Sequence, residues 1–484
     1  MTTTAEQHYK KMTETPVVKL VVLLGIPTTV SMLITSVYNM VDTYFVGSLG
    51  ESPQGAISIL FTLQSIIQAV AFMLGHGSGI FVAKELANKD TDKASAYVSS
   101  AFFFGGVIGV VFALLGLAFL SPFMRLLGST ETILPYARDY GQWVLVSCPF
   151  MICSLVLNNN LRYEGKAFYA MIGLSVGAIL NIGMDYIFVS ICHLGVFGAG
   201  MATAISQTIS FFILLVLYIK TAQSKIAFRY VSKKIKMYLE IFHNGLPSFI
   251  RQCLNSVSSG TLNHLAGFYG ELAGKADAAI NAMGVVNKVS NFAMCVGMGI
   301  SQGLQPVASF NYQAKEYDRV KKAYKFTMLV AFACAAVIAL PVCIFTQDIV
   351  VLFQKGENTV QIAVPAMRYA MIGIMFMPIF IPINILYQSI RKAGIASVLA
   401  LLRSGLVFIP VLFLLTSLWQ ITGLQLAQPV SDVITALINI PFIVYFFKST
   451  PATPAKQIAT DRATATQNTD GQTSAQTQDD NSDK

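Results

Sequence analysis

Apolar runs of about twenty residues recur along the whole chain, separated by short polar connections. Each run is long enough to cross a hydrocarbon core of ~30 Å as a helix. The runs are continuous rather than alternating, so they predict helices and not the strands of a barrel. Twelve spans are predicted, at 18–46, 55–82, 97–120, 136–161, 167–190, 196–219, 240–267, 278–308, 325–346, 363–390, 394–416 and 423–447.

The chain also contains an internal repeat at an offset of about 220 residues. The segment GIPTTVSMLITSVYNMVDTYFVGSLG, which begins at Gly25, aligns without a gap with GLPSFIRQCLNSVSSGTLNHLAGFYG, which begins at Gly245. Each half holds six predicted spans, so both halves cross the membrane in the same sense. The fold class expected is therefore an all-α membrane protein with twelve transmembrane helices in two pseudo-symmetric six-helix lobes, a repeat arrangement found in secondary transporters.

This repeat divides the chain into five predicted regions. The segment after 448 is rich in Thr, Gln and Asp and has no aromatic residue, which predicts disorder. The regions are a cytoplasmic N-terminal tail (1–16), an N-terminal lobe (17–219), a cytoplasmic linker (220–239), a C-terminal lobe (240–448) and a disordered cytoplasmic tail (449–484).

Composition supports a membrane protein, and charge indicates its orientation. The hydrophobic fraction is 54%, the charged fraction is only 12% and the formal net charge is +9. Eighteen Lys and Arg residues lie in the even-numbered connections and four in the odd-numbered ones. The positive-inside rule then places the even connections and both termini in the cytoplasm. The excess of positive charge thus indicates orientation in the cytoplasmic membrane, and no nucleic-acid partner is expected.

Four polar side chains in the first half are candidates for a cation site. Asp42 lies on span 1, Asn181 and Asp185 on span 5, and Thr203 on span 6. Asp42, Asp185 and Thr203 each lie about five to eight residues from the outer end of their span, which is roughly 10 Å below the surface. Two carboxylates with an amide and a hydroxyl can hold a proton or coordinate Na⁺. The alternative is that these groups only join helices by hydrogen bonds.

The second half carries a different set of ionisable residues. Arg251 lies on span 7, Lys288 on span 8 and Asp432 on span 12. We expect Asp432 to pair with Arg251 or Lys288, because a buried charge needs a partner. Direct contact of these residues with a ligand is the alternative.

Other patterns give no sign of a cofactor. The segment GHGSG (75–79) fits neither a dinucleotide nor a Walker fingerprint, and its glycines predict close helix packing. The seven cysteines have no Cys-x-x-Cys spacing and are interpreted as small core residues.

Several of these motifs together resemble the multidrug and toxic compound extrusion (MATE) family. The resemblance covers nearly the whole chain apart from the tails. It rests on IPTTVSMLITSVYNMVDTYFVGSLG with Asp42, on LNIGMDYIFV with Asn181 and Asp185, on GAGMATAIS with Thr203, and on LRYEGKA and LPSFIRQ.

The resemblance implies a secondary antiporter that exports organic, often cationic and amphipathic, compounds in exchange for H⁺ or Na⁺. Asp42, Asn181, Asp185 and Thr203 match the family's N-lobe cation site, and Pro27 matches a proline at which span 1 is thought to bend. Some members carry a further carboxylate site on spans 7 and 10, where this chain has Arg251 and no acid. The resemblance thus implies coupling through the first lobe alone, with no cofactor, in a protein that functions as a monomer among membrane lipids.

Two other classes of protein stay open at this point. A flippase for a lipid-linked sugar shares the architecture of the superfamily and would need a cationic cavity, for which Arg251 and Lys288 are the candidates. A receptor or channel is less favoured, because duplicated lobes suit alternating access.

Overall fold

The computed structural model of the protein describes residues 4–47, 49–272, 274–353, 356–451 and 453. Sixteen α-helices account for most of them. They are α1 (Thr4–Glu14), α2 (Val17–Gly47), α3 (Glu51–Ala87), α4 (Thr91–Ala118), α5 (Leu120–Leu126), α6 (Leu134–Tyr163), α7 (Ala167–Asp185), α8 (Gly195–Thr221), α9 (Ile235–Leu272), α10 (Ala276–Gln313), α11 (Tyr317–Ile344), α12 (Thr346–Phe353), α13 (Glu357–Ile374), α14 (Met377–Ser389), α15 (Ala393–Leu401) and α16 (Phe408–Ser449).

Three shorter helical segments complete these elements. Two are π-helical turns, Tyr186–Ile191 after α7 and Leu402–Val407 between α15 and α16, and one is a 3₁₀ turn, Phe228–Tyr230. Long α16 is interrupted at Gln420, whose φ of 48° and ψ of −120° are not helical. This break falls between the predicted spans 394–416 and 423–447.

The all-helical fold class is confirmed, and each predicted span falls on helical residues. In the part of the chain that the structure describes, eight helical stretches are long and apolar enough to cross a membrane. A ninth arises if α13 and α14, which are bent by 48° at their junction, form one span. The exact number of twelve spans stays a prediction, since α9 and α10 carry more polar residues than this criterion allows.

Residues 17–221 are called the first half of the chain, and residues 235–449 the second half. Within the first half α3 packs on α6, α6 on α8, and α2 on α7; within the second half α10 packs on α11, α13 and α14. The exact limits of the two predicted lobes stay a prediction. The predicted C-terminal tail lies outside the described residues, apart from 449–451 and 453.

The Lys- and Arg-rich connections gather at one end of the bundle, which we call the basic end. The Gln313 amide donates to Asn88 Oδ1 at 3.1 Å, and Arg391 donates to Gln313 at 2.9 Å. The segment that joins the two halves lies there as well, because Lys225 N donates to Ser95 Oγ at 2.8 Å and Ser232 N donates to Ser100 Oγ at 3.0 Å.

Glycines bring the two halves into close contact near the basic end. A Cβ atom at Gly245 of α9 would lie 1.9 Å from the Met73 carbonyl oxygen of α3, and one at Gly77 of α3 would lie 2.1 Å from the Ile241 carbonyl oxygen. The α2–α10 contact is similar, because a Cβ atom at Gly303 would lie 2.6 Å from the Gly25 Cα. Such backbone approach is open only to glycine, which explains the glycines of GHGSG as packing residues.

Helix α1 lies across the basic end, in a region that the sequence predicted only as a tail. The Met12 carbonyl oxygen accepts hydrogen bonds from Asn311 Nδ2 at 3.2 Å and from Arg319 at 3.3 Å, both in the second half. On its other side Met12 packs against Gly165 of the first half. Burial, with Lys166 and Lys11 nearby, lowers the pKa of His8 to about 4. The helix thus contacts both halves at once.

Candidate functional site

A cluster of polar side chains lies inside the first half, where α2, α6, α7 and α8 converge. The Tyr140 hydroxyl donates to Asp42 Oδ2 at 3.1 Å and lies 2.8 Å from Thr203 Oγ1. Asn181 Nδ2 donates to the same Thr203 oxygen at 3.3 Å. Asp185 lies one helical turn beyond Asn181 and interacts electrostatically with Asp42. The structure therefore brings Asp42, Asp185 and Thr203, which the sequence placed at one depth, together with Asn181 from one turn deeper.

All members of this cluster are buried, yet several of their oxygens have no partner. Asp42 is 7% exposed, Asn181 2% and Asp185 0%. Among the described residues, Asp42 Oδ1, Asn181 Oδ1 and both carboxylate oxygens of Asp185 accept no hydrogen bond. Buried polar atoms are almost always satisfied, because an unpaired acceptor loses its hydration without compensation. These four oxygens leave the cluster with acceptor atoms that a proton, a cation or water can satisfy.

The local structure of α7 explains how its two polar residues face the cluster. Asn181 and Asp185 are four residues apart, so they share one face of the helix. Directly after Asp185 the helix widens into the π-helical turn Tyr186–Ile191. Such turns are rare, and those that occur are often found at functional sites. The irregularity places Asp185 at the boundary between two helical geometries.

Sequence reasoning missed Tyr140, which links Asp42 to Thr203. Its depth was available, because Tyr140 lies six residues after the start of α6, at the same end of the bundle as the other members. The candidate residues for the cation site were carboxylates, amides and the Thr203 hydroxyl, and tyrosine was not among them. A phenol both donates and accepts a hydrogen bond, so it fits between a carboxylate and a threonine.

Pro27 lies inside α2, which continues through it as one helix. Proline removes one backbone hydrogen bond of the helix. The hydroxyl groups of Thr28 and Thr29 donate to the carbonyl oxygens of Leu24 and Gly25, each at 2.9 Å. The bending of the helix at Pro27 stays a prediction.

Asp432 forms an ion pair as predicted, but the prediction that its partner is Arg251 or Lys288 is wrong. Asp432 accepts a hydrogen bond from Arg403 Nε at 3.3 Å and one from Gln428 at 3.0 Å. Arg403 lies in the π-helical turn after α15, and the sequence analysis overlooked it although it is a lone cation in an apolar run. Lys288 is exposed and takes part in no ion pair of the described chain.

Arg251 has neutral partners instead of Asp432. It donates to Asn384 Oδ1 at 3.1 Å and to Ser248 Oγ at 3.3 Å. In the described part of the chain it belongs to no ion pair. The half-buried side chain therefore keeps a positive charge that no carboxylate of the described chain neutralises.

Long apolar helices that hold a buried cluster of carboxylate, amide and hydroxyl groups define a membrane transporter rather than an enzyme. Ionisable groups at such positions line the pathways of ions and substrates.

The comparison with known families identifies the particular group. The family described as MatE matches residues 27–187 and 247–414, so the chain belongs to the MatE family. The two matched ranges begin at Pro27 and Pro247, the prolines that the internal repeat aligns. The resemblance seen in the sequence is thereby confirmed.

Relatives and solved structures agree with this assignment. The chain is 28% identical over 442 residues to the multidrug export protein MepA of Staphylococcus haemolyticus, covering 90% of this chain and 95% of that protein. It is 26% identical to MepA of Staphylococcus aureus over 438 residues, covering 90% and 95%. A structure described as the outward-facing conformation of a multidrug resistance MATE family transporter aligns with a TM-score of 0.85 at 21% identity, covering 93% of this chain and 100% of that one.

Proposed function

We propose that this protein is a multidrug exporter of the cytoplasmic membrane, which moves organic, amphipathic and often cationic compounds outward in exchange for H⁺ or Na⁺. Relatives that align over nearly their whole length are named multidrug export proteins. They give no support to the flippase alternative, which is not proposed further.

The four unpartnered oxygens on Asp42, Asn181 and Asp185 carry the proposal of cation coupling. Two protons would neutralise both carboxylates and turn each into a hydrogen-bond donor. One Na⁺ would be coordinated by several of the same oxygens. Either ion removes the penalty of leaving buried carboxylates unsatisfied, and its release restores that penalty. The free energy of the site therefore depends on the ion.

The packing of the halves supports alternating access. The glycine contacts of α3 with α9 and of α2 with α10 close the bundle near the basic end. The positive-inside rule places this end, with both termini, in the cytoplasm. The described conformation is then closed to the cytoplasm, and parting of these glycine contacts would open the opposite state.

The test uses purified full-length protein in liposomes loaded with a fluorescent organic cation such as ethidium. Either a pH gradient or a Na⁺ gradient is imposed alone, and dye movement is recorded for the wild type, Asp42→Asn and Asp92→Asn. Asp92→Asn is the matched control, because it makes the same chemical change at an exposed position of α4. We expect one gradient to drive transport in the wild type and the control, and neither to do so in Asp42→Asn.

If neither gradient changes the rate of dye movement in the wild type, the protein is not a cation-coupled exporter. Gradient-driven movement that survives in Asp42→Asn would place the coupling site outside the first-half cluster.

A further inference from the structure

We propose that the cavity around Arg251 in the second half binds the carboxylate group of amphipathic organic substrates. This inference rests on the proposed export function, since the ligand is an exported compound. It adds an anion-binding subsite, in the half opposite the cation site, to a transporter of organic compounds.

The cavity contains two guanidinium groups, of which only one is neutralised by a carboxylate. Its lining includes Arg251, Asn384, Arg403 and Ser404. Asp432 neutralises Arg403 across 3.3 Å, whereas the partners of Arg251 are an amide and a hydroxyl. The cavity therefore carries one uncompensated positive charge, and an anionic ligand would compensate it.

The neutral partners hold Arg251 in one orientation. Asn384 Nδ2 donates to the Ala396 carbonyl oxygen at 2.7 Å, which leaves Asn384 Oδ1 to accept from Arg251. Ser248 Oγ also accepts from Gln388 Nε2 at 2.8 Å. These bonds use two of the five N–H donors of the guanidinium group and leave the others for a ligand. A fixed guanidinium fork suits a carboxylate, which accepts two parallel hydrogen bonds.

The rest of the wall is apolar, which selects an amphipathic ligand. Met298 and Phe380 line the same cavity, and the Arg403 guanidinium lies 5.2 Å from the centre of the Phe380 ring. A thioether and an aromatic ring beside a guanidinium group suit an aromatic acid better than a small inorganic ion.

Within the described part of the first half, no carboxylate forms an ion pair with Arg251. The residues there that interact electrostatically with Arg251 are His76 and Tyr163. Neither is a carboxylate, and His76 is 1% exposed with both ring nitrogens unpartnered among the described residues. The positive charge of Arg251 is therefore not compensated from across the interface.

The experiment compares two dyes that differ only in the group in question, a rhodamine with a free benzoate and its methyl ester. Their binding to detergent-solubilised full-length protein is titrated by fluorescence anisotropy for the wild type, Arg251→Gln, Arg251→Lys and Lys322→Gln. Lys322→Gln is the matched control, because it removes one positive charge from an exposed position of α11 in the same half, outside the predicted spans.

We expect Arg251→Gln to raise the Kd of the benzoate form by about tenfold or more, the loss expected for hydrogen bonds to a charged group. The Kd of the ester should stay unchanged. Arg251→Lys, which keeps the charge and loses the fork, should fall between Arg251→Gln and the wild type. Lys322→Gln should change neither Kd, since solvent screens an exposed charge.

The inference is overturned if Arg251→Gln weakens both dyes equally, if it weakens neither, or if the wild type does not bind the benzoate form. Where Arg251→Gln unfolds, the comparison of Arg251→Lys with the wild type decides between the same outcomes. The proposed function is tested separately in liposomes that contain wild-type protein. It fails if neither a pH gradient nor a Na⁺ gradient drives transport of the ester dye.

Discussion

A single methyl group at position 245 should shift the protein toward the state that is open at the basic end. In Gly245→Ala the new Cβ would lie 1.9 Å from the Met73 carbonyl oxygen, whereas ordinary contact begins at 3.4 Å. Helices α3 and α9 would have to part by the difference, 1.5 Å, because the Met73 oxygen is a backbone atom and the new Cβ is fixed directly to the backbone of α9. Overpacking of this kind costs about 1–3 kcal/mol. A cost of about 2 kcal/mol shifts the equilibrium between closed and open states by roughly thirtyfold.

Hydrogen–deuterium exchange of the peptides around 72–80 and 241–249 measures this shift. The control is Gly260→Ala in the same helix, because a Cβ there meets no atom within 4 Å. Both substitutions raise the helix propensity of α9 by about the same amount, near 1 kcal/mol. The difference between them therefore reports the clash alone. We expect faster exchange at the basic end in Gly245→Ala and wild-type exchange there in Gly260→Ala.

Unchanged exchange in Gly245→Ala, together with an unchanged melting temperature, would refute the reasoning. It would mean that α3 and α9 do not make this contact in the populated state.

Three further changes test other parts of the structure. Replacing Tyr140 by Phe should slow gradient-driven dye transport severalfold without abolishing it, as initial rates in liposomes will show, because the change removes a donor to Asp42 but no charge; a wild-type rate would remove Tyr140 from the site. Arg403→Ala should lower the free energy of unfolding by about 3–5 kcal/mol, because it leaves the buried Asp432 carboxylate with the neutral Gln428 and no cation. Arg403→Ala with Asp432→Ala should recover part of the loss, and equal stability of all three proteins would contradict the pairing. Docking of α1 should weaken on acidification, as hydrogen exchange in 4–14 will show, because the pKa of His8 is lowered from 6.5 to about 4. The docked form thus binds fewer protons, so its stability is complete above about pH 6.5 and is lost as the pH falls toward 4. The same pH dependence in His8→Gln would assign the effect to another group.

The sequence could predict the class of fold and most of the first-half site. Apolar runs long enough for a bilayer allow few structures other than helices. Asp42, Asp185 and Thr203 could be placed at one level, and Asn181 one turn deeper, because the rise per residue converts position in a span into depth. Depth says nothing about which helices are neighbours, so the hydrogen bonds of Tyr140 came only from the structure.

The second half and α1 show where this reasoning ends. Several positively charged side chains lie at a depth from which they could neutralise Asp432. Only the packing of the helices shows that the partner is Arg403. Helix α1 is stabilised by Asn311 and Arg319, some three hundred residues away in sequence. Its own residues carry too little apolar surface to predict a docked helix from local pattern.

The two π-helical turns bear on the history of the protein. A π turn is an α-helix with one residue too many, and it is retained only where something compensates for the strain. The first, Tyr186–Ile191, begins nineteen residues after the start of α7; the second, Leu402–Val407, begins nine residues after the start of α15 and contains Arg403. The sequences of these turns, YIFVSI and LRSGLV, have little in common. Two turns at different depths, with dissimilar sequences, are most simply explained by separate changes in the two halves after the gene was duplicated. Each half thus acquired its own irregular backbone next to a charge, a carboxylate in the first half and a guanidinium group in the second.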